Sequence, residues 1–159
     1  MSNESPLTPF IGNRSSRILV VDDDRGSLLA LAGHLKRWHC EVETAESGAQ
    51  ARIKARKFAP DLILLDVMLP DQSGFSVCEA LQADAATSHI PVIFLTALSA
   101  PEAKSKGFDT GGYDYITKPF DAGEMAARVG AKLRLKYAED ALRDKHSKLS
   151  SKVQPNRDS

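Results

Sequence analysis

Short runs of apolar and β-branched residues recur along the chain, at 18–21, 42–45, 62–65, 92–95 and 113–116. Two of them, LILL and VIFL, are apolar at every position, as strands covered on both faces must be. The segments between them change period. Leu28, Leu31, Leu35 and Trp38 recur at three- and four-residue steps and share one helical face. Ala51, Ala55 and Phe58 do the same within 47–58, and Val77, Ala80 and Leu81 within 74–83. Asp121 is placed to cap a last helix, with Glu124 three residues on completing a capping-box pattern. Alternating strands and helices predict an α/β fold: a doubly wound, five-stranded parallel sheet with five helices, of the flavodoxin-like kind.

The two ends depart from this rhythm. Residues 1–16, rich in Ser, Pro and Asn, read as a flexible lead-in. At the other end no proline appears between Asp121 and Pro155, so the last helix is expected to run to about residue 150. Thirty residues would extend roughly 45 Å, about twice what a compact domain of this type needs. Leu135, Leu142 and Leu149 are spaced by seven, with Ala138 and Lys145 between them. This is either a short coiled-coil seam or the polar end of a helix.

Composition narrows the class without naming a function. A chain of 159 residues, 42% hydrophobic and 26% charged, is that of one ordinary globular domain. Basic and acidic residues number 21 each, so no global field draws the protein to nucleic acid or to a membrane. From Lys132 onward eight basic residues face four acidic ones, and this local excess reads as a solvated helix face. Cys40 and Cys78 lie far apart without metal-ligand spacing and read as reduced thiols of a cytoplasmic protein. No signal peptide or membrane span is evident in the sequence.

The chemistry lies where the apolar runs stop. RILVV is followed by Asp22-Asp23-Asp24, LILL by Asp66, VIFL by Thr96, and YIT by Lys118. In a parallel sheet these positions gather at the carboxyl edge, where open α/β folds bind ligands. Asp24 is placed to cap the helix beginning near Arg25. Asp22, Asp23 and Asp66 would repel one another unless a cation neutralised them, and all-oxygen ligation selects Mg2+ or a similar hard ion. Pro70 and Gly74 shape the loop after Asp66 and would leave its carboxylate exposed as a nucleophile toward phosphorus. Lys118 would neutralise the arriving phosphoryl oxygens, and Thr96 would donate a hydrogen bond to one of them.

These motifs resemble the receiver domain of two-component response regulators (the CheY-like family) over about residues 17–136. They are VVDDD at 20–24, LLDVMLPDQSG at 64–74, FLTA at 94–97 and YITKPF at 115–120. The resemblance implies that Asp66 is the phosphoacceptor, charged by a sensor histidine kinase or a histidine phosphotransfer protein. Asp23, Asp66 and the backbone carbonyl of Met68 would ligate Mg2+ directly, and Asp22 mainly through water. Thr96 and Tyr115 would form the switch, and the Lys118–Pro119 bond would be cis. The surface thereby remodelled would be that of the fourth helix, fifth strand and fifth helix. Apolar Met68 and Leu98 near the acceptor are expected to slow its loss of phosphate, so only slow autodephosphorylation is expected and no enzymatic activity beyond it.

The family's layout makes 17–136 the receiver and 137–159 a helical extension or linker with a disordered end. No nucleic-acid-binding or enzymatic output is expected on this chain, which would be a stand-alone regulator or part of a longer one. A homodimer would form through the switch face or the C-terminal helix. The competing reading is a phosphohydrolase resembling the haloacid dehalogenases, with Asp22 as nucleophile and Asp24 as general acid. It leaves Asp66 unexplained, and Gly26 stands where that family prefers Thr or Val.

Overall fold

A computed structural model of the chain describes residues 5–97 and 113–153, with side-chain surroundings as far as residue 145. Five strands form one parallel sheet: β1 (Arg17–Val21), β2 (Glu41–Ala45), β3 (Leu62–Asp66), β4 (Val92–Thr96) and β5 (Asp114–Thr117). Their spatial order is β2-β1-β3-β4-β5, that of the doubly wound flavodoxin-like fold. The register sets Val21 beside Ala45 and Leu65, and Thr96 beside Thr117. The carboxyl ends of all five strands therefore fall along one edge.

The helices are α1 (Thr8–Ile11), α2 (Arg25–Arg37), α3 (Gly48–Phe58), α4 (Gly74–Ala83) and α5 (Ala122–Val153). The helix expected between β4 and β5, together with Leu98, lies outside the described residues. Leu28, Leu31 and Leu35 of α2 share one core with Met125, Val129 and Leu133 of α5 and with Ile18, Val20, Leu62, Leu64 and Ile93. The alternate residues Leu19, Val21, Ile63, Leu65 and Phe94 point to the other face and meet Ala51 and Ala55 of α3 and Val77 and Leu81 of α4. The two-residue period of the strands thus feeds two separate cores. Asp24, Ser47 and Ser73 cap α2, α3 and α4 by accepting from backbone N–H groups three residues on. Asp121 Oδ1 accepts from Gly123 and Glu124 N–H, while Glu124 pairs with Arg128 instead of closing a capping box.

The flexible lead-in expected over residues 1–16 is corrected for residues 5–16, which dock on the domain. Leu7 is 1% exposed and belongs to the core between α2 and α5. Phe10 lies directly over Gly130 of α5, where an added Cβ would collide with its ring. Ser16 Oγ and Tyr137 Oη are 2.6 Å apart, and the Arg14 guanidinium stacks 4.0 Å above the Tyr137 ring. The polar composition hid three apolar residues, Leu7, Phe10 and Ile11, that need only one helical turn to meet the sheet-facing side of α5.

The last helix is as long as its sequence suggested, 32 residues, or about 48 Å. Its surroundings change along its length. Met125, Val129 and Leu133 are buried, Lys136 reaches Asp61 at 3.7 Å, and residues 141–145 are all exposed. Leu135 and Leu142 stand 52% and 68% exposed, so these two of the heptad leucines lie largely in solvent.

Leu7→Ala tests the docked arm: a loss of about 2–5 kcal/mol is expected in chemical denaturation, as for other buried leucines. A change within about 0.5 kcal/mol, typical of surface sites, would show the arm undocked in solution.

Candidate functional site

Local sequence places each acid differently. Asp22 continues β1, its N–H donating to the Ala45 carbonyl at 3.0 Å, and its side chain turns inward to complete burial. Asp23, one residue on, points outward and is exposed. Asp24 accepts from Ser27 N–H at 3.0 Å and Ser27 Oγ at 2.8 Å, which holds its carboxyl below the usual range. Asp24 is thus a helix cap, as its position suggested, and stands apart from the carboxylate cluster of Asp22, Asp23 and Asp66.

Asp66 ends a strand buried at every residue and is itself 7% exposed. Its Oδ1 accepts from Met68 N–H at 2.9 Å, and its Oδ2 from Lys118 Nζ at 2.7 Å. The same ammonium lies 2.7 Å from Asp22 Oδ2. One cation therefore bridges two carboxylates from different strands. Burial pushes the Asp22 carboxyl upward, and the adjacent Lys118 ammonium only partly offsets it. Burial alone would lower Lys118, but the two carboxylates outweigh it and raise the ammonium above its ordinary range.

Thr96 is buried at the end of β4, and its carbonyl accepts from Lys118 N–H at 2.8 Å, which ties the β4 and β5 ends together. The Lys118–Pro119 bond is cis. Tyr115, half-buried, faces the α3–α4 side of the sheet beside Phe94, with the Arg128 guanidinium 5.4 Å from its ring. The loop after Asp66 is tightly closed: Gly74 N–H donates to Val67 O at 2.7 Å, and Met68 bridges to Ser73. A side chain at Gly74 would strike the Asp66 carbonyl oxygen, so glycine is required there for close approach. Met68 itself is 69% exposed at the lip.

The residues fit a divalent cation. Carboxylate oxygens of Asp22, Asp23 and Asp66 lie within 4.8 Å of one another. Asp22 Oδ2, buried, accepts no aligned hydrogen bond; Lys118 offers it only an ion-pair contact. A hard, oxygen-seeking ion suits such a donor set. Among the described residues no other group of His, Cys, Asp or Glu could hold a metal ion. Cys40 is buried with its thiol pushed up to about 12, and Cys78 is raised by burial as well, so both are inert thiols. No helix among the described residues is long and apolar enough to cross a membrane.

The phosphohydrolase reading does not survive this geometry and the relatives. Asp22, its required nucleophile, is wholly buried and engaged by Lys118, and Asp24 is committed to Ser27. The chain is 46% identical over 118 residues to the DNA-binding dual master transcriptional regulator RpaA of Synechocystis, covering 74% of this chain and 49% of that protein. It is 41% identical over 133 residues to the response regulator PleD of Caulobacter vibrioides, covering 84% of this chain and 29% of PleD. The chain thus spans half or less of the length of these curated relatives. Among solved structures it superposes on the receiver domain of the Pseudomonas aeruginosa sensor histidine kinase PA1611. The TM-score is 0.68 and the identity 26%, over 76% of this chain and 98% of that one. That structure has a magnesium ion coordinated in its active-site cleft. The family model for the response regulator receiver domain matches residues 18–130, from β1 into the first turns of α5. With its acidic edge, bridging lysine and sheet order in place, the chain belongs to the response regulator receiver domain family and is a phosphoryl-accepting switch of two-component signalling.

Proposed function

We propose that Asp66 is the phosphoacceptor and that its donor is the phosphohistidine of a sensor histidine kinase or a histidine phosphotransfer protein. The observation carrying this reading is the Lys118 ammonium held 2.7 Å from Asp66 at the end of a fully buried strand. It is a fixed positive charge where a phosphoryl group would arrive. A carboxylate oxygen of Asp66 attacks phosphorus; one P–O bond forms as the P–N bond breaks, and the imidazole nitrogen keeps the electron pair. Lys118 moves its hydrogen bonding from the carboxylates to the phosphoryl oxygens. The hydroxyl of Thr96 donates to one of those oxygens, and Tyr115 follows toward the space Thr96 leaves, so the β4–β5 edge changes shape.

Mg2+ is the cofactor of this reading, held by Asp23, Asp66 and the Met68 carbonyl, with Asp22 acting through water; when bound it neutralises the carboxylates and the incoming phosphoryl charge. The Met68 thioether at the lip hinders an attacking water, so dephosphorylation is slow. The receiver body spans 17–136, and the helix beyond it carries the signal as a linker. The cytoplasm, where its kinase would present phosphohistidine, is the site of action. Self-association runs through the exposed Leu135–Leu142 face of α5, the described surface with heptad spacing.

Three outcomes test the proposal. Incubation with Mg2+ and acetyl phosphate should place one phosphoryl group on Asp66, mapped by peptide mass spectrometry, and Asp66→Asn should remove it. Met68→Asn combined with Leu98→Glu should shorten the adduct's lifetime. Label on Asp22 or Asp23 would refute the assignment.

The raised carboxyl of Asp22 gives a second outcome. A group whose pKa is raised on folding contributes stability below its ordinary value, 3.8, and loses it as the pH climbs through the folded value. At neutral pH the buried anion is therefore a burden, and Asp22→Asn should melt higher than wild type in chelator, with Lys118 still paired to Asp66. The same variant should gain less from Mg2+, whereas wild type gains about 2.7 kcal/mol at a hundredfold excess over its dissociation constant. A lower melting temperature for the variant in chelator contradicts the burial argument.

Sedimentation of the full chain and of a truncation at Lys136, each with beryllofluoride as phosphoryl mimic, tests the helix interface. Association should vanish with the truncation; unchanged association would assign it elsewhere.

A further inference from the structure

The carboxylate of Asp71 has no part in the acidic cluster, yet it is tied to the loop that begins at Asp66. It accepts from the N–H groups of Gly48 and Ala49, Oδ1 at 2.8 Å and Oδ2 at 3.0 Å. These are the first two residues of α3, more than twenty positions before Asp71 in sequence and separated from it by β3. The two amides hold the Asp71 carboxyl below its ordinary range, as an anion that both bonds favour. The neighbouring Gln72 side chain lies against Gly48 so closely that a Cβ there would approach it to 2.6 Å.

We infer that Asp71 is a positioning residue for the cation site, acting through the loop that carries Met68; the inference rests on the proposed use of the Met68 carbonyl as a ligand. The loop has two ends to restrain. Its inner end is closed by Gly74 against the Asp66 backbone, by the Gly74–Val67 hydrogen bond and by the Met68–Ser73 bridge. Its outer turn, residues 69–72, is held to the body by the packing of Leu69 and by the paired bonds of Asp71. A two-oxygen grip on adjacent amides resists rotation as well as translation, which one bond or one apolar contact does not. It therefore fixes the direction of the carbonyl three residues before it. A ligand shell loses affinity when the groups that orient it are removed, typically 10–100-fold.

A capping role alone would look similar in a melting experiment, because α3 would lose two N-terminal hydrogen bonds. Ser47 separates the two readings. Its Oγ caps the same helix by accepting from Gln50 N–H at 3.2 Å, a bond to α3 itself and not to the Asp66 loop. Mg2+ titration by calorimetry on the full chain should show Asp71→Ala binding about tenfold more weakly than wild type. Ser47→Ala should bind as wild type does despite a comparable drop in melting temperature, and Asp71→Asn, with one acceptor oxygen left, should fall between. Equal Mg2+ affinities for Asp71→Ala and Ser47→Ala would reduce Asp71 to a helix cap and overturn the inference. Asp23→Asn is the control on the site itself: if it binds Mg2+ normally, the ligand set is wrong. If it loses Mg2+ while Asp71→Ala does not, only the positioning role fails.

Discussion

Lys118 is the side chain on which the functional edge depends. A parallel sheet brings the ends of its strands together, and here one acid follows β1 directly and another closes β3. Two carboxylates so close, one fully buried, would drive the edge apart or take up protons. A single ammonium 2.7 Å from each offsets part of that cost while leaving acceptor capacity open on Asp22. Its placement relies in turn on the β4–β5 pairing, through the bond from Lys118 N–H to the Thr96 carbonyl. The bridging ammonium, the end of β4 and the acid pair are therefore one mechanical unit.

The remaining structure arranges support around that unit. Glycine at 74 lets α4 begin against the Asp66 backbone, and the loop between them closes on itself. On the opposite side, the N-terminal arm and α5 are built together. Phe10 needs Gly130, Tyr137 needs Ser16, and Arg14 covers the ring at the point where the helix leaves the body. The helix begins four residues after Lys118 and runs on past Asp140. The arm braces it where it leaves the body.

Much of this was legible in the residues. The runs LILL and VIFL could only be strands covered on both faces, and Leu28, Leu31 and Leu35 could only be an inward helical stripe. The capping role of Asp24 followed from its place before Arg25 and is what the hydrogen bonds show. The arm was not legible, because a single turn carrying three apolar residues is too short for periodicity to register. Asp71 was passed over for a related reason. In the one-dimensional pattern it is a polar residue in a proline-containing turn, and its partners Gly48 and Ala49 lie more than twenty positions away.

The sequence by itself determined the order of elements, the strand ends at which acids, hydroxyl and ammonium appear, and hence the class of chemistry. Those depend on local periodicity and residue type, which survive without coordinates. Only the tertiary structure decided which of three consecutive aspartates turns inward, that one lysine serves two strands, and that the arm and Asp71 brace the two sides of the domain. The reason is the pleat and the pairing: adjacent residues on a strand face opposite ways, and the direction that is buried is set by neighbours distant in the chain.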